Sequence, residues 1–167
     1  MPVDHFLRIS SGKHIYSYLK KSMCCFKKEM ETPEIVPTID YLKEKFKEYN
    51  HLYFNNILKV PSFSLECKDH IAGEFKCRFV RKDGQWKLTN KRLHINGNIV
   101  WNENTLRSVL IHEMIHYYVH LRKMMPSRGG DFQHWGLFWL MKVKLNWKYG
   151  LGIKNNYYEL KLKTEQS

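Results

Sequence analysis

The sequence lacks any long apolar run: no stretch of its 167 residues approaches the ~20 apolar residues that a membrane-spanning helix needs. The first residues lack an apolar segment followed by a small-residue cleavage site, so a secretory signal is not expected. Cysteine is scarce. Cys24 and Cys25 are adjacent, Cys67 and Cys77 are ten apart, and none forms a CxxC knuckle. A disulfide scaffold would be shorter and denser in cysteine, so the reading is reduced thiols in a cytoplasmic protein, or a nucleoid- or nucleus-associated one if DNA is a partner. Acidic residues are also few, 16 against 28 basic ones, which leaves a formal charge of +12. There is no internal repeat and no low-complexity segment.

What remains is a chain able to build a core. Hydrophobic residues make up 43% and aromatics 14%, which argues against wholesale disorder, and the length suits one domain with a tail. The basic surplus points to a phosphate polymer or another anionic surface as a partner, since neutralising phosphates releases counterions. Residues 1–37 read as an N-terminal extension whose role is not legible, 38–150 as the domain and 151–167 as a basic C-terminal tail, with Pro33 and Pro37 punctuating the first boundary.

From Thr38 the apolar spacing is helical. Ile39, Leu42, Phe46, Tyr49 and Tyr53 recur every three or four residues, Thr38 is a plausible N-cap, and Asn55-Asn56 ends the run. Residues 62–96 switch to period two. Phe63 and Leu65 alternate with polar neighbours, Phe75, Cys77 and Phe79 do the same, and Asp83-Gly84 is a turn dipeptide that predicts a hairpin, followed by a short strand from Leu93 to Ile95. Helical spacing returns near Glu103, with Asn102 or Asn104 as cap and an end near Met125-Pro126. A last helix is expected over Phe132–Trp147, capped by Asp131, before Gly150 and Gly152 release a Lys-rich tail.

The segment His112-Glu113-Met114-Ile115-His116 carries the chemistry. On a helix, residues i and i+4 lie one turn apart on one face, so both imidazoles can reach one ion. Glu113 is rotated about 100° from His112, beyond ligand reach but able to take a proton from a metal-bound water and pass it to a leaving amine. With nine His and eleven Glu, a shuffled chain carries HExxH about three times in a hundred, so the motif needs its helical context, which it has.

A catalytic zinc wants a third protein ligand. His120 continues the row, but eight residues of helix span about 12 Å, too far for one small ion. Asp131 suits a helix cap better. His134 follows Gly129 and Gly130, a loop that can fold the next helix back onto the first, and it is the chosen ligand. The longer HExxHxxGxxH spacing is absent, because Val119 and Arg122 occupy its last two positions.

Over Ile39–Trp147 the chain resembles the SprT-like metalloprotease domain family. The matching segments are Leu42 to Phe54, similar to the family's opening helix; Ala72-Gly73 with Phe75; Leu93-His94-Ile95-Asn96, the strand before the metal helix; Leu110 to His116; and His134 with Phe138. Members usually have Gly directly after the third histidine, where this chain has Trp135 and then Gly136, and many carry a C-terminal Cys-based zinc ribbon, for which no cysteines follow Cys77. The resemblance implies zinc-dependent cleavage of protein chains, in the best-known members of proteins crosslinked to DNA.

The combined expectation is an α+β, compact zincin-like domain in which a small antiparallel-rich sheet packs on helices that include the HExxH helix. His112, His116 and His134 hold Zn2+, Glu113 is the general base, and the substrate is a protein chain. DNA is the second partner. Lys76, Arg78, Arg81, Lys82 and Lys87 are the candidate phosphate contacts, and Trp86 could stack on an unpaired base. Tyr149, Tyr157 and Tyr158 are oxyanion-donor candidates by chemistry alone. The alternative is a nucleic-acid-binding module whose zinc is structural.

Overall fold

The computed structural model describes residues 33–68, 70–123, 134, 136–160 and 162–163, all within one of the chain's two units, Pro33–Ser167. In chain order the elements are β1 (Glu34–Ile35), α1 (Ile39–Phe54), β2 (Ser62–Ser64), β3 (Gly73–Lys82), β4 (Gln85–Ile95), β5 (Trp101–Asn102), α2 (Glu103–Lys123) and α3 (Leu137–Tyr149). The fold is α+β, as the alternation of periods implies. No helix among the described residues is long and apolar enough to cross a membrane. Cys67 and Cys77 carry free thiols, and Cys24 and Cys25 lie outside the described residues.

Helix α1 begins where its cap dictates. Thr38 is extended and its hydroxyl accepts from the Tyr41 N–H at 3.1 Å, satisfying an otherwise orphan donor. The helix stops at Asn55, whose φ of 53° takes the left-handed conformation that asparagine tolerates. Leu42, Phe46, Tyr49 and Phe54 point into the core. Asn50 joins them as a clamp: its Nδ2 donates to the Leu58 carbonyl at 2.8 Å, and its Oδ1 accepts from the Leu58 N–H at 3.2 Å.

Two small sheets flank the helices. One pairs β1 with β5 in antiparallel fashion, Glu34 opposite Asn102 and Ile35 opposite Trp101. The other has the order β2-β4-β3. β3 and β4 are antiparallel and joined by Asp83 and Gly84, both at positive φ (53° and 76°), as a two-residue hairpin turn with the native twist requires. β2 runs parallel to β4, which its three residues gave no means of foreseeing. Between Lys76 and Arg78 the register slips by one, because β4 advances three residues while β3 advances two. Asn90, at φ 47°, sits in this bulge.

Helix α2 forms the centre of the core. Asn102 caps it, its Oδ1 accepting from the Thr105 N–H at 2.9 Å. Leu106, Val109, Leu110, Ile111, Met114, Ile115, Tyr117 and Val119 are all buried, on every side of the helix. A helix apolar all round has to be enclosed, and α1, the sheet and α3 enclose it. Helix α3 starts at Leu137 rather than Phe132: Gly136, at φ 62°, breaks the path from His134 into the helix. Asp131 and the expected end of α2 at Met125-Pro126 lie outside the described residues.

The chain after Gly150 does more than trail away as a Lys-rich tail. Leu151 and Ile153 are buried, and Asn146 of α3 grips Ile153 twice, donating to its carbonyl (2.9 Å) and accepting from its N–H (2.8 Å). Further on, Leu162 bridges to Ile99 and the Lys163 N–H donates to the Asn98 carbonyl.

The Asn50 clamp yields a first prediction. Asn50→Ala leaves the Leu58 amide and carbonyl buried without their partner, and each such loss costs about 1–3 kcal/mol. Urea denaturation should therefore show a loss of about 2 kcal/mol or more; a change below about 0.5 kcal/mol, the size of an ordinary surface substitution, would show the clamp to be inconsequential.

Candidate metal centre

Helix geometry sets the first two side chains of the site. His112 and His116, one turn apart on α2, turn their rings toward each other at a centroid distance of 4.9 Å. His134, two residues before Gly136 and α3, completes a triangle. The Nε2 atoms lie 3.1 Å (His116–His112), 3.2 Å (His116–His134) and 3.2 Å (His134–His112) apart. Phe138, fully buried on the first turn of α3, lies against all three rings, with centroids at 4.9, 4.5 and 4.7 Å. It holds the triangle from beneath with a surface that offers no competing donor.

The donor chemistry fits a metal ion. The Nδ1 of His112 lies 2.8 Å from the Lys154 carbonyl, which can only accept. That nitrogen therefore carries the proton, and in a neutral ring the Nε2 lone pair faces the triangle. Burial keeps the rings neutral: it pushes the His112 pKa down to about 4 and lowers those of His116 and His134, with the neighbouring rings adding to the effect at His116 and Lys142 at His134. Three uncharged imidazoles whose Nε2 atoms crowd together satisfy one another poorly without a cation. Tetrahedral ligands at ~2.0–2.1 Å from one zinc would sit about 3.3 Å apart, close to the spacing seen. The three residues could hold such an ion.

Glu113 faces β3 across the gap from α2 and lines the same cleft as the histidines. It is 5% exposed, and burial pushes its carboxyl pKa up to about 8, opposed by the Phe75 amide N–H donating to it and reinforced by Glu74. A cation nearby would pull that value back down. The close approach of strand to helix depends on Gly73: a Cβ there would come within 2.8 Å of Val109 Cγ1 and 3.0 Å of Glu113 Cγ. The loop leading into β3 is held by the buried Asn96, whose side chain donates to the Ile71 carbonyl (2.8 Å) and the Lys68 carbonyl.

These groups line an open cleft of about 820 Å³. His112, Glu113, His116 and His134 lie along it, the β3 segment from Gly73 to Phe79 forms one wall, and Asn155 to Tyr158 form the opposite lip. His120 lines the cleft against Phe75 and Phe79, at ring distances of 6.0 and 5.8 Å, and takes no place in the triangle. Of the oxyanion-donor candidates, Tyr157 and Tyr158 line the cleft, whereas Tyr149 packs on Tyr53 at 5.0 Å. The Tyr157 hydroxyl is tied back to Ser108 at 2.7 Å, so it faces away from that role.

The candidate phosphate contacts are all exposed. Lys76 and Arg78 border the cleft together with the half-buried Trp86, while Arg81, Lys82 and Lys87 continue toward the hairpin tip. Lys76 is paired with Glu74 at 3.0 Å, and Lys87 lies 4.0 Å from Asp83. Sequence reasoning missed the Lys154 carbonyl and the contacts of Ser108 and Tyr157. A backbone acceptor carries no residue signature, and a lone Ser on a helix gives no sign of what returns to meet it.

The family model described as the SprT-like family matches residues 42–146, which spans α1 through most of α3. No curated protein and no solved structure matches the chain.

If the triangle holds a metal, one zinc ion per chain should bind and raise the unfolding midpoint, since a ligand that binds only the folded state stabilises it by about 2.7 kcal/mol at a hundred times its Kd. His116→Ala should abolish that zinc-dependent rise in a thermal melt. Equal stabilisation of the variant would place the ion elsewhere.

Proposed function

The chain belongs to the SprT-like family, and on that premise we propose that it is a zinc-dependent endopeptidase that hydrolyses protein chains in the cleft beside β3, acting on DNA-associated proteins. The observation that carries the reading is the meeting, in one cleft, of three imidazole Nε2 atoms 3.1–3.2 Å apart and an unligated buried carboxylate, Glu113.

His112, His116 and His134 would hold the ion, whose chemistry when bound is Lewis acidity toward a carbonyl and a water. Glu113 is the general base. Its carboxylate accepts a proton from the attacking water and returns it to the amide nitrogen of the leaving chain as the C–N bond breaks. The Phe75 N–H aims the carboxylate, and Gly73 leaves the space in which it sits. β3 supports a polypeptide as the substrate. It is an edge strand of its sheet, and the segment from Gly73 to Phe79 lines the cleft, so an extended chain can lie alongside it and pair with its outer edge. Specificity then comes from side chains that alternate along that wall.

The DNA association rests on charge and position. Lys76, Arg78 and Trp86 border the same cleft, Arg81, Lys82 and Lys87 extend the basic run, and the chain carries a net +12. Phosphate polymers bound along the hairpin would hold a protein cargo next to the histidine triangle.

The deciding experiment compares wild type with Glu113→Gln on denatured casein and on a DNA-bound protein, with zinc content measured in both. Wild type should release peptide fragments; the variant should keep its zinc and lose about 100-fold or more of the cleavage rate, the usual weight of a positioned base. Zinc bound by a wild type that cuts no polypeptide would leave a structural metal site instead. For the DNA association, single-strand binding should fall with salt at about 0.7 of a logarithmic unit per phosphate neutralised. Arg81→Gln with Lys82→Gln should flatten that slope, and an unchanged slope would remove the hairpin from the interface.

A further inference from the structure

The histidine triangle does not stand on α2 and α3 alone. After Gly150 the chain returns across the N-terminal side of the triangle, outside the 42–146 region of the family match, and it is bound to α2 at two points one turn apart. Ser108 and His112 are i and i+4 on the same face of α2. Ser108 Oγ lies 2.9 Å from the Gly152 carbonyl and 2.7 Å from the Tyr157 hydroxyl, and His112 Nδ1 lies 2.8 Å from the Lys154 carbonyl.

The direction of every proton in this network is fixed by chemistry. A carbonyl only accepts, so the single Ser108 proton goes to Gly152. Ser108 Oγ must then accept from Tyr157, whose hydroxyl donates to it. The Tyr157 oxygen in turn accepts the Lys154 N–H at 3.0 Å. The backbone of Lys154 is thereby held on both sides of its Cα, its N–H on Tyr157 and its carbonyl on His112. The Tyr157 ring also meets the His112 ring edge-on, with centroids 5.6 Å apart. Burial of Leu151 and Ile153 and the double hydrogen bond from Asn146 anchor the segment just ahead of Lys154.

We propose that Ser108 and Tyr157 are positioning residues for the metal centre: they hold residues 152–157 as a strap whose Lys154 carbonyl fixes the tautomer and direction of His112. The inference rests on reading the triangle as a metal site. A ring whose Nδ1–H is engaged presents Nε2 to the ion at no cost in reorientation; a ring released from the carbonyl can rotate or place its proton on Nε2. Tyr157→Phe keeps the ring against His112 and removes only the hydroxyl, leaving the Lys154 N–H without its acceptor and Ser108 Oγ without its donor. Ser108→Ala releases the strap from the other side.

The test is zinc affinity, measured on the full chain by competition with a chromogenic chelator, for wild type, Tyr157→Phe, Ser108→Ala and Asn50→Ala. Outer hydrogen-bond partners of a ligating histidine are worth about 10- to 100-fold in metal affinity, and Tyr157→Phe and Ser108→Ala should each lose that much. Asn50→Ala, destabilised in a clamp between α1 and Leu58, should bind zinc as wild type does, which separates positioning from a general loss of stability. The visible spectrum of the cobalt-substituted protein gives a second readout: its bands should shift in Tyr157→Phe and stay in place in Asn50→Ala. Wild-type affinity and an unchanged cobalt spectrum in both strap variants would overturn the proposal while leaving the triangle intact. Failure of the wild type itself to bind zinc or cobalt would overturn the metal reading and the strap's role with it.

Discussion

Burial of α2 on all sides is the constraint from which the rest of this domain follows. The helix carries His112 and Glu113, each only 5% exposed, into a core of Leu, Ile, Val and Met side chains. A buried polar group without a partner costs several kcal/mol, so the neighbouring elements have to supply one for each. The return segment supplies the Lys154 carbonyl to His112, and β3 supplies the Phe75 N–H to Glu113. Neither partner is a side chain. Both are backbone groups, so whole segments must pass close to two neighbouring faces of one helix.

That requirement explains features that look incidental one by one. Gly73 stands where β3 comes closest to α2, and no side chain would fit between them. Asn96 ties the loop before β3 to the end of β4 and so sets the strand's height over the helix. Asn146 fastens the start of the return segment to α3. Phe138 fills the space under the histidines with an apolar ring. The result is polar on the cleft side and dry beneath. Such a site keeps imidazoles neutral and their lone pairs available.

Much of this was legible in local pattern, because local pattern reflects local physics. The i, i+4 spacing of His112 and His116 is a statement about one helix turn, and it holds in the structure. Thr38 caps α1 through a bond to a residue three positions on, and Asp83-Gly84 takes the positive φ pair that a tight hairpin demands. His134 depends on a longer-range cue, glycines that can let the chain fold back, and its Nε2 lies 3.2 Å from each of the other two. Apolar spacing runs through residues 132–147, whereas α3 begins at Leu137, because the backbone turn at Gly136 is a matter of conformation that spacing does not record. The parallel pairing of β2 and the packing of Leu151 and Ile153 involve contacts between distant parts of the chain, and periodicity within a segment carries no sign of them.

By itself, then, the sequence determined the residue types of the site, the helix that carries two of its imidazoles and the carboxylate between them, since these depend on neighbours within one turn. Only the tertiary structure decided which nitrogen of His112 faces the other two rings, what holds Glu113, and that the cleft lies along an edge strand. Those outcomes are set by backbone groups of Phe75 and Lys154, far from α2 in sequence. A backbone amide or carbonyl is the same at every position, so only the folded path of the chain shows which one arrives.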